Sequence, residues 1–119
     1  MTRTILVVED NQVDRDRLEK LLSAAGYLVS TAENGAQAIS SAKRIKPDAI
    51  LMDVNMPEMD GFAATRALRN DSATKAIPIV LVTAKDQMAD KAWGQMLGAS
   101  GYVTKPYTDD QVLAQVRAL

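Results

Sequence analysis

The chain has 119 residues and a net charge of −1, from 14 Lys and Arg against 15 Asp and Glu, with no cysteine and no histidine. One domain with its own core fits that length; dispersed charge of both signs gives no electrostatic case for nucleic acid or an anionic membrane. Disulfides, thiolate metal sites and imidazole as base, ligand or phosphoryl donor are excluded, and no apolar stretch approaches the ~20 residues that span a bilayer.

Met1-Thr2-Arg3 leads into Thr4 to Val8, a β-branched and aliphatic run of the kind covered on both faces of a sheet. No signal-peptide pattern precedes it, so a cytoplasmic protein without membrane insertion is expected. The strand ends at Glu9-Asp10. From Val13, apolar positions Leu18, Leu21, Leu22 and Ala25 recur at helical spacing, and Gly26 closes that helix. Tyr27 to Ala32 reads as a second strand. Asn34 caps a helix bearing Ala38, Ile39, Ala42 and Ile45, stopped by Pro47. Asp48 to Met52 is the third strand, closing on Asp53 before Met56-Pro57 breaks the chain. Phe62, Ala64, Ala67 and Leu68 give a shorter helix that gives out at Asn70. A polar connection from Asp71 to Ala76 leads to a fourth strand, Ile77 to Val82, which ends at Thr83. Asp86 is the expected cap of a helix with Ala89, Ala92, Trp93 and Met96 on one side and Gly98 just beyond. Trp93 reads as packing rather than ligand contact, and the methionines as gap fillers. Ser100 to Thr104 is a weaker fifth strand before Lys105-Pro106. Thr108-Asp109-Asp110-Gln111 has the form of a capping box, opening a last helix with Val112, Leu113 and Val116 inward.

Five βα units in alternation predict a parallel sheet with right-handed crossovers and helices on both faces. The usual strand order for five units, 2-1-3-4-5, puts strands 1, 3 and 4 at the centre and gathers all strand carboxyl ends on one edge, where open α/β sheets bind ligands. That edge carries Glu9 and Asp10, Asp53, Thr83 and Lys105. Each has an ordinary reading alone, such as a helix cap, a turn or a solvated charge. Convergence of acids, a hydroxyl and an ammonium at four strand ends is hard to assign to capping.

Two carboxylates about 5 Å apart repel by roughly 3 kcal/mol at an effective dielectric of about 20, and one lysine does not offset three such pairs. Either one carboxyl stays protonated or a cation is bound. Oxygen-only ligands point to a hard divalent ion, and Mg²⁺ keeping several waters is the expected one. A carboxylate beside Mg²⁺ with an ammonium and a hydroxyl in reach has the parts for phosphoryl transfer, and Asp53 on the central strand is the best nucleophile. Thr83, followed by the small Ala84, is placed to donate a hydrogen bond to a phosphoryl oxygen.

Glu9-Asp10, Asp53 within Met52-Asp53-Val54-Asn55-Met56-Pro57, Asp60-Gly61, Thr83-Ala84 and Lys105-Pro106 together resemble the receiver domain of two-component response regulators. The resemblance spans residues 1 to 119. It implies a flavodoxin-like (βα)5 fold and phosphorylation of Asp53 by a histidine kinase or phosphotransfer protein. It also implies Mg²⁺ held by Asp10, Asp53 and the backbone carbonyl of Asn55, with Glu9, where many such domains have Asp, acting through water. The stretch from Thr83 to Pro106, with Lys85-Asp86-Gln87, Asp90-Lys91, Trp93-Gly94 and Gly98-Ala99 before Tyr102, further resembles small regulators of twitching motility and chemotaxis-like pathways.

In the resembled mechanism Thr83 moves toward the phosphoryl group and Tyr102 turns inward, biasing a surface made of helix 4, strand 5 and helix 5. The implied role is signalling rather than metabolic catalysis, by a monomer or weak dimer. Nothing follows the fifth helix, so output is expected through docking to another protein or by draining phosphoryl groups from a shared kinase, unless the chain is part of a larger regulator. A Mg²⁺-dependent aspartyl phosphatase shares the chemistry but usually wants an acid where Asn55 stands. A flavodoxin shares the fold, but Glu9-Asp10-Asn11-Gln12 would repel its phosphate.

Overall fold

The computed structural model describes residues 2–119. The order is β1 (Thr4–Val8), α1 (Gln12–Ala24), β2 (Leu28–Ala32), α2 (Gly35–Ile45), β3 (Ala49–Met52), α3 (Gly61–Arg69), β4 (Ile79–Thr83), α4 (Met88–Met96), β5 (Gly101–Thr104) and α5 (Asp109–Arg117). All strands are parallel, in the order β2-β1-β3-β4-β5, so the expected flavodoxin-like topology is the observed one. Side chains alternate across the sheet and form two cores. Leu6, Val8, Ile50, Met52, Ile79 and Leu81 meet α2 and α3 on one face. Ile5, Val7, Leu51, Val80, Val82 and Val103 meet α1 and α5 on the other.

Helix starts follow local chemistry. Asn34 accepts from the Gln37 N–H at 2.9 Å, Asp60 from Ala63 at 2.8 Å, and Thr108 from Gln111 at 3.2 Å, each relieving an orphan donor of the first turn. In α5 the Gln111 side chain returns the bond to the Thr108 N–H at 2.9 Å, completing the expected capping box. Several expected strand starts shift by one or two residues because their backbones serve the preceding turn. Tyr27 N–H bonds Leu22 O at the end of α1, and Ile77 N–H bonds Thr74 O.

Three expectations fail. Val13 and Ala25 of the α1 pattern are exposed, leaving Leu18 and Leu22 buried and Leu21 packed partly against the same core. Asp86 does not cap α4; Gln87 does, with the Asp90 carboxylate accepting its N–H at 3.3 Å. The α4 stripe of Ala89, Ala92, Trp93 and Met96, whose direction the spacing left open, is exposed, and only Gly94 is buried. A Cβ at Gly94 would lie 3.0 Å from Leu81 Cδ1 and 3.5 Å from Phe62 and Tyr102. The sheet admits the helix backbone there and little more. Met88 and Met96 are therefore 87% and 78% exposed rather than filling gaps.

Gly61 opens α3 directly under the end of β3. A Cβ there would fall onto the Asp53 carbonyl oxygen and within 2.8 Å of Val54 Cα, both of them backbone atoms. Gly61→Ala is expected to lower the unfolding free energy by about 1–3 kcal/mol, the range for overpacking a tight site. Urea melts measure this, and an unchanged midpoint would show slack in the loop.

Candidate functional site

Glu9, Asp53 and Lys105 each stand one residue past a strand, yet their backbones continue the ladder. Glu9 N–H donates to Ala32 O at 3.0 Å, Asp53 N–H to Val8 O at 3.0 Å, and Lys105 N–H to Thr83 O at 2.8 Å. The sheet therefore fixes three corners of one crevice before any side-chain contact is made.

The side chains close it. Lys105 Nζ donates to Glu9 Oε2 at 2.9 Å, Asp14 Oδ2 at 3.2 Å and Asp53 Oδ2 at 3.3 Å. Its three protons thus meet three carboxylates. Asp53 Oδ1 also accepts from the Asn55 N–H at 3.2 Å, and Glu9 Oε1 from the Asn11 N–H at 3.4 Å. One oxygen each of Glu9, Asp10 and Asp53 lies within 4.8 Å of the others. Glu9 and Asp53 are buried, at 1% and 6% exposure, whereas Asp10 opens to solvent. Such an oxygen-only group, with one ligand wet, fits a hard divalent cation that keeps part of its water.

The electrostatics follow from burial. Desolvation pushes the Glu9 carboxyl up to about 7 against the pull of its Lys105 hydrogen bond, and the Asp53 charge adds to the rise. Desolvation acts the other way on Lys105, but the hydrogen bond to Glu9 and the Asp53 and Glu9 charges hold its pKa above the ordinary lysine value. The ammonium keeps its proton at neutral pH.

Thr83, at the end of β4, is fully buried, and its Oγ1 accepts from the Lys85 N–H at 3.4 Å. Tyr102 on β5 donates its hydroxyl to Lys85 O at 2.6 Å. Burial, with the charges of Asp90, Asp53 and Asp86, pushes the Tyr102 phenol up to about 12. Tyr102 is thus tied to the loop that follows Thr83.

Every residue singled out in the sequence reaches this edge: Glu9, Asp10, Asp53, Asn55, Thr83 and Lys105 at the crevice, Tyr102 beside it. Two contributors were not read from the sequence. Asp14 passes for an ordinary first-turn acid of α1, although α1 begins at the crevice and its first turn must border it. Arg17, one turn on, donates to Tyr107 O at 3.2 Å and stacks over that ring at 4.5 Å, pinning the loop after Lys105.

Glu9 has a definite pH signature. Its folded pKa is raised from 4.5 to about 7, so between those values the folded chain binds more protons than the unfolded one. Stability must then fall as pH rises through that window and level off above it. Urea melts from pH 5 to 8 are expected to show a loss of order 2 kcal/mol, and Glu9→Gln should flatten the slope. A wild-type profile that rises with pH would contradict the assignment.

The sequence pattern of the response regulator receiver domain matches residues 5–117. Protein PilH of Pseudomonas aeruginosa is 43% identical over 115 residues, covering 97% of this chain and 95% of PilH. Against longer curated relatives the chain spans between 26% and 50% of their length. Among solved structures, the Vibrio cholerae chemotaxis protein CheY4 superposes with a TM-score of 0.93 at 33% identity, covering 99% of this chain and 98% of that one. The receiver domain of the Pseudomonas aeruginosa sensor histidine kinase PA1611, with a magnesium ion coordinated in its active site cleft, superposes with a TM-score of 0.91 at 34% identity, covering 99% and 97%. A family pattern over nearly the whole length, with relatives this similar across it, makes the chain a member of the response regulator receiver domain family.

Proposed function

We propose that residues 1–119 act as one cytoplasmic receiver domain that accepts a phosphoryl group on Asp53 from a histidine kinase or phosphotransfer protein, with Mg²⁺ bound. The observation that carries this reading is the meeting of Lys105 Nζ with the buried Asp53 carboxylate at 3.3 Å beside the Glu9 and Asp10 oxygens. Glu9, Asp10, Asp53 and the backbone carbonyl of Asn55 would hold Mg²⁺. When bound, the ion supplies positive charge that neutralises phosphoryl oxygens.

In the transfer an Asp53 carboxylate oxygen bonds phosphorus as the P–N bond of the donor phosphohistidine breaks. The imidazole nitrogen keeps that electron pair and takes up a proton. Asp53 needs no base, because it attacks as the carboxylate. Lys105 offers its ammonium to a phosphoryl oxygen. Thr83 offers its hydroxyl to another, which requires it to leave its buried place against Lys85 N–H. Tyr102 follows, since Lys85 carries its hydrogen bond. Thr83 and Tyr102 thereby relay occupancy of the crevice to a protein-docking face on α4, β5 and α5. Exposed Met88 and Met96 support that assignment, as does a cavity of about 600 Å³ running from Tyr102 and Lys105 to Gln111 and Gln115.

Incubation with acetyl phosphate and Mg²⁺ is expected to add one phosphoryl group by intact mass, and none in Asp53→Asn. Chelation should halt labelling, and Lys105→Ala should slow it about 10²- to 10³-fold, the usual loss on removing one charge-stabilising donor. Full labelling of Asp53→Asn would overturn the proposal.

A further inference from the structure

We infer that Asp14 is a positioning residue for Lys105, holding the ammonium at the rim of the crevice when Glu9 and Asp53 are engaged by a divalent cation. This rests on the function proposed above and assigns a role that none of the motif residues fills. Lys105 Nζ meets Glu9, Asp14 and Asp53, at 2.9, 3.2 and 3.3 Å. Only two of those acids, Glu9 and Asp53, share the oxygen cluster with Asp10. A cation drawn to that cluster repels the ammonium from both of them at once. Asp14 is the acceptor that remains.

Its surroundings suit the task. The Asp14 side chain is 41% exposed, against 1% for Glu9 and 7% for Asp53, so water screens it and its charge carries little desolvation cost. Its backbone is fixed by the Asn11 side chain, which accepts the Asp14 N–H at 3.0 Å. Three residues along the same helix face, Arg17 donates to Tyr107 O at 3.2 Å and faces Asp109 at 3.7 Å. The first two turns of α1 therefore hold the loop that carries Lys105 while the lysine stem moves between acceptors. Without Asp14 the ammonium must compete with the cation for Glu9 and Asp53 or swing into solvent.

The test is a double-mutant cycle on Mg²⁺ affinity, by calorimetry on the unphosphorylated chain. Asp14→Ala is expected to raise the Kd for Mg²⁺ about fivefold in the wild-type background. In a Lys105→Ala background the same change should raise it less than about twofold, because no ammonium is left to place. An equal factor in both backgrounds would mean that Asp14 acts by its field alone and would overturn the inference. An independent readout is the ¹⁵N signal of the Lys105 ammonium in Mg²⁺-saturated protein. It should persist in the wild type, vanish through solvent exchange in Asp14→Ala and return in Asp14→Glu. Persistence in Asp14→Ala would also overturn it. A wild type that binds no Mg²⁺ and takes no phosphoryl group overturns the proposed function and this inference together; one that does both while Asp14→Ala changes nothing overturns only the inference.

Discussion

The ammonium of Lys105 is the constraint on which the crevice depends. It arises on the edge strand β5, yet it reaches Asp53 beyond β4 and Glu9 on β1, with strands spaced about 4.8 Å apart. No side chain spans that distance alone. The four-carbon stem of lysine covers part of it, and the acids cover the rest from their side. Here the extra methylene of Glu9 matters: the acid furthest from β5 makes the shortest contact, 2.9 Å against 3.3 Å for Asp53. Reach and charge are matched across four strands, which only a rigid ladder can maintain.

That ladder explains how a buried acid pair is tolerated. Glu9 and Asp53 are held by main-chain bonds to neighbouring strands, so their repulsion cannot relax by moving the backbone apart. It is relieved instead by the lysine, by a proton on Glu9, or by a bound cation, three exchangeable solutions to one charge problem. A site whose charge is balanced in exchangeable ways responds to whichever partner arrives. The same surplus, spread over solvent-exposed positions, would be screened and would demand nothing.

Much of this was legible in the sequence, for physical reasons. The all-apolar runs of β1, β3 and β4 can only be strands covered on both sides, and their polar terminators must then gather at one edge. Asn34 and Thr108 announce helix starts through short-range chemistry that tertiary packing does not alter. The orientation of α4 was not legible, because periodicity reveals that an apolar stripe exists and not which way it faces. What turns it outward is a glycine-sized contact with Leu81 and Phe62, from residues distant in sequence. Asp14 was hidden for a related reason. A first-turn acid already has a local explanation in the helix dipole, and only the arrival of Lys105, 91 residues on, gives it a second.

The loosely seated α4 and the rigid crevice meet at Thr83. Its carbonyl accepts Lys105 N–H and its hydroxyl accepts Lys85 N–H, while Lys85 O receives the Tyr102 hydroxyl. One residue thus joins the ladder, the loop entering α4 and the aromatic ring on β5. Withdrawing its side chain toward the crevice would break one 3.4 Å hydrogen bond and leave the ladder bond intact, so the sheet stays in register while the loop is released. Such a division would confine motion to a helix whose only buried residue is a glycine, where local rearrangement costs little. α4, anchored by Gly94 and carrying exposed Met88 and Met96, is that helix. Under the proposed function, a change of charge at Asp53 would have a short mechanical route outward through Thr83, Lys85 and Tyr102, one that spares the core.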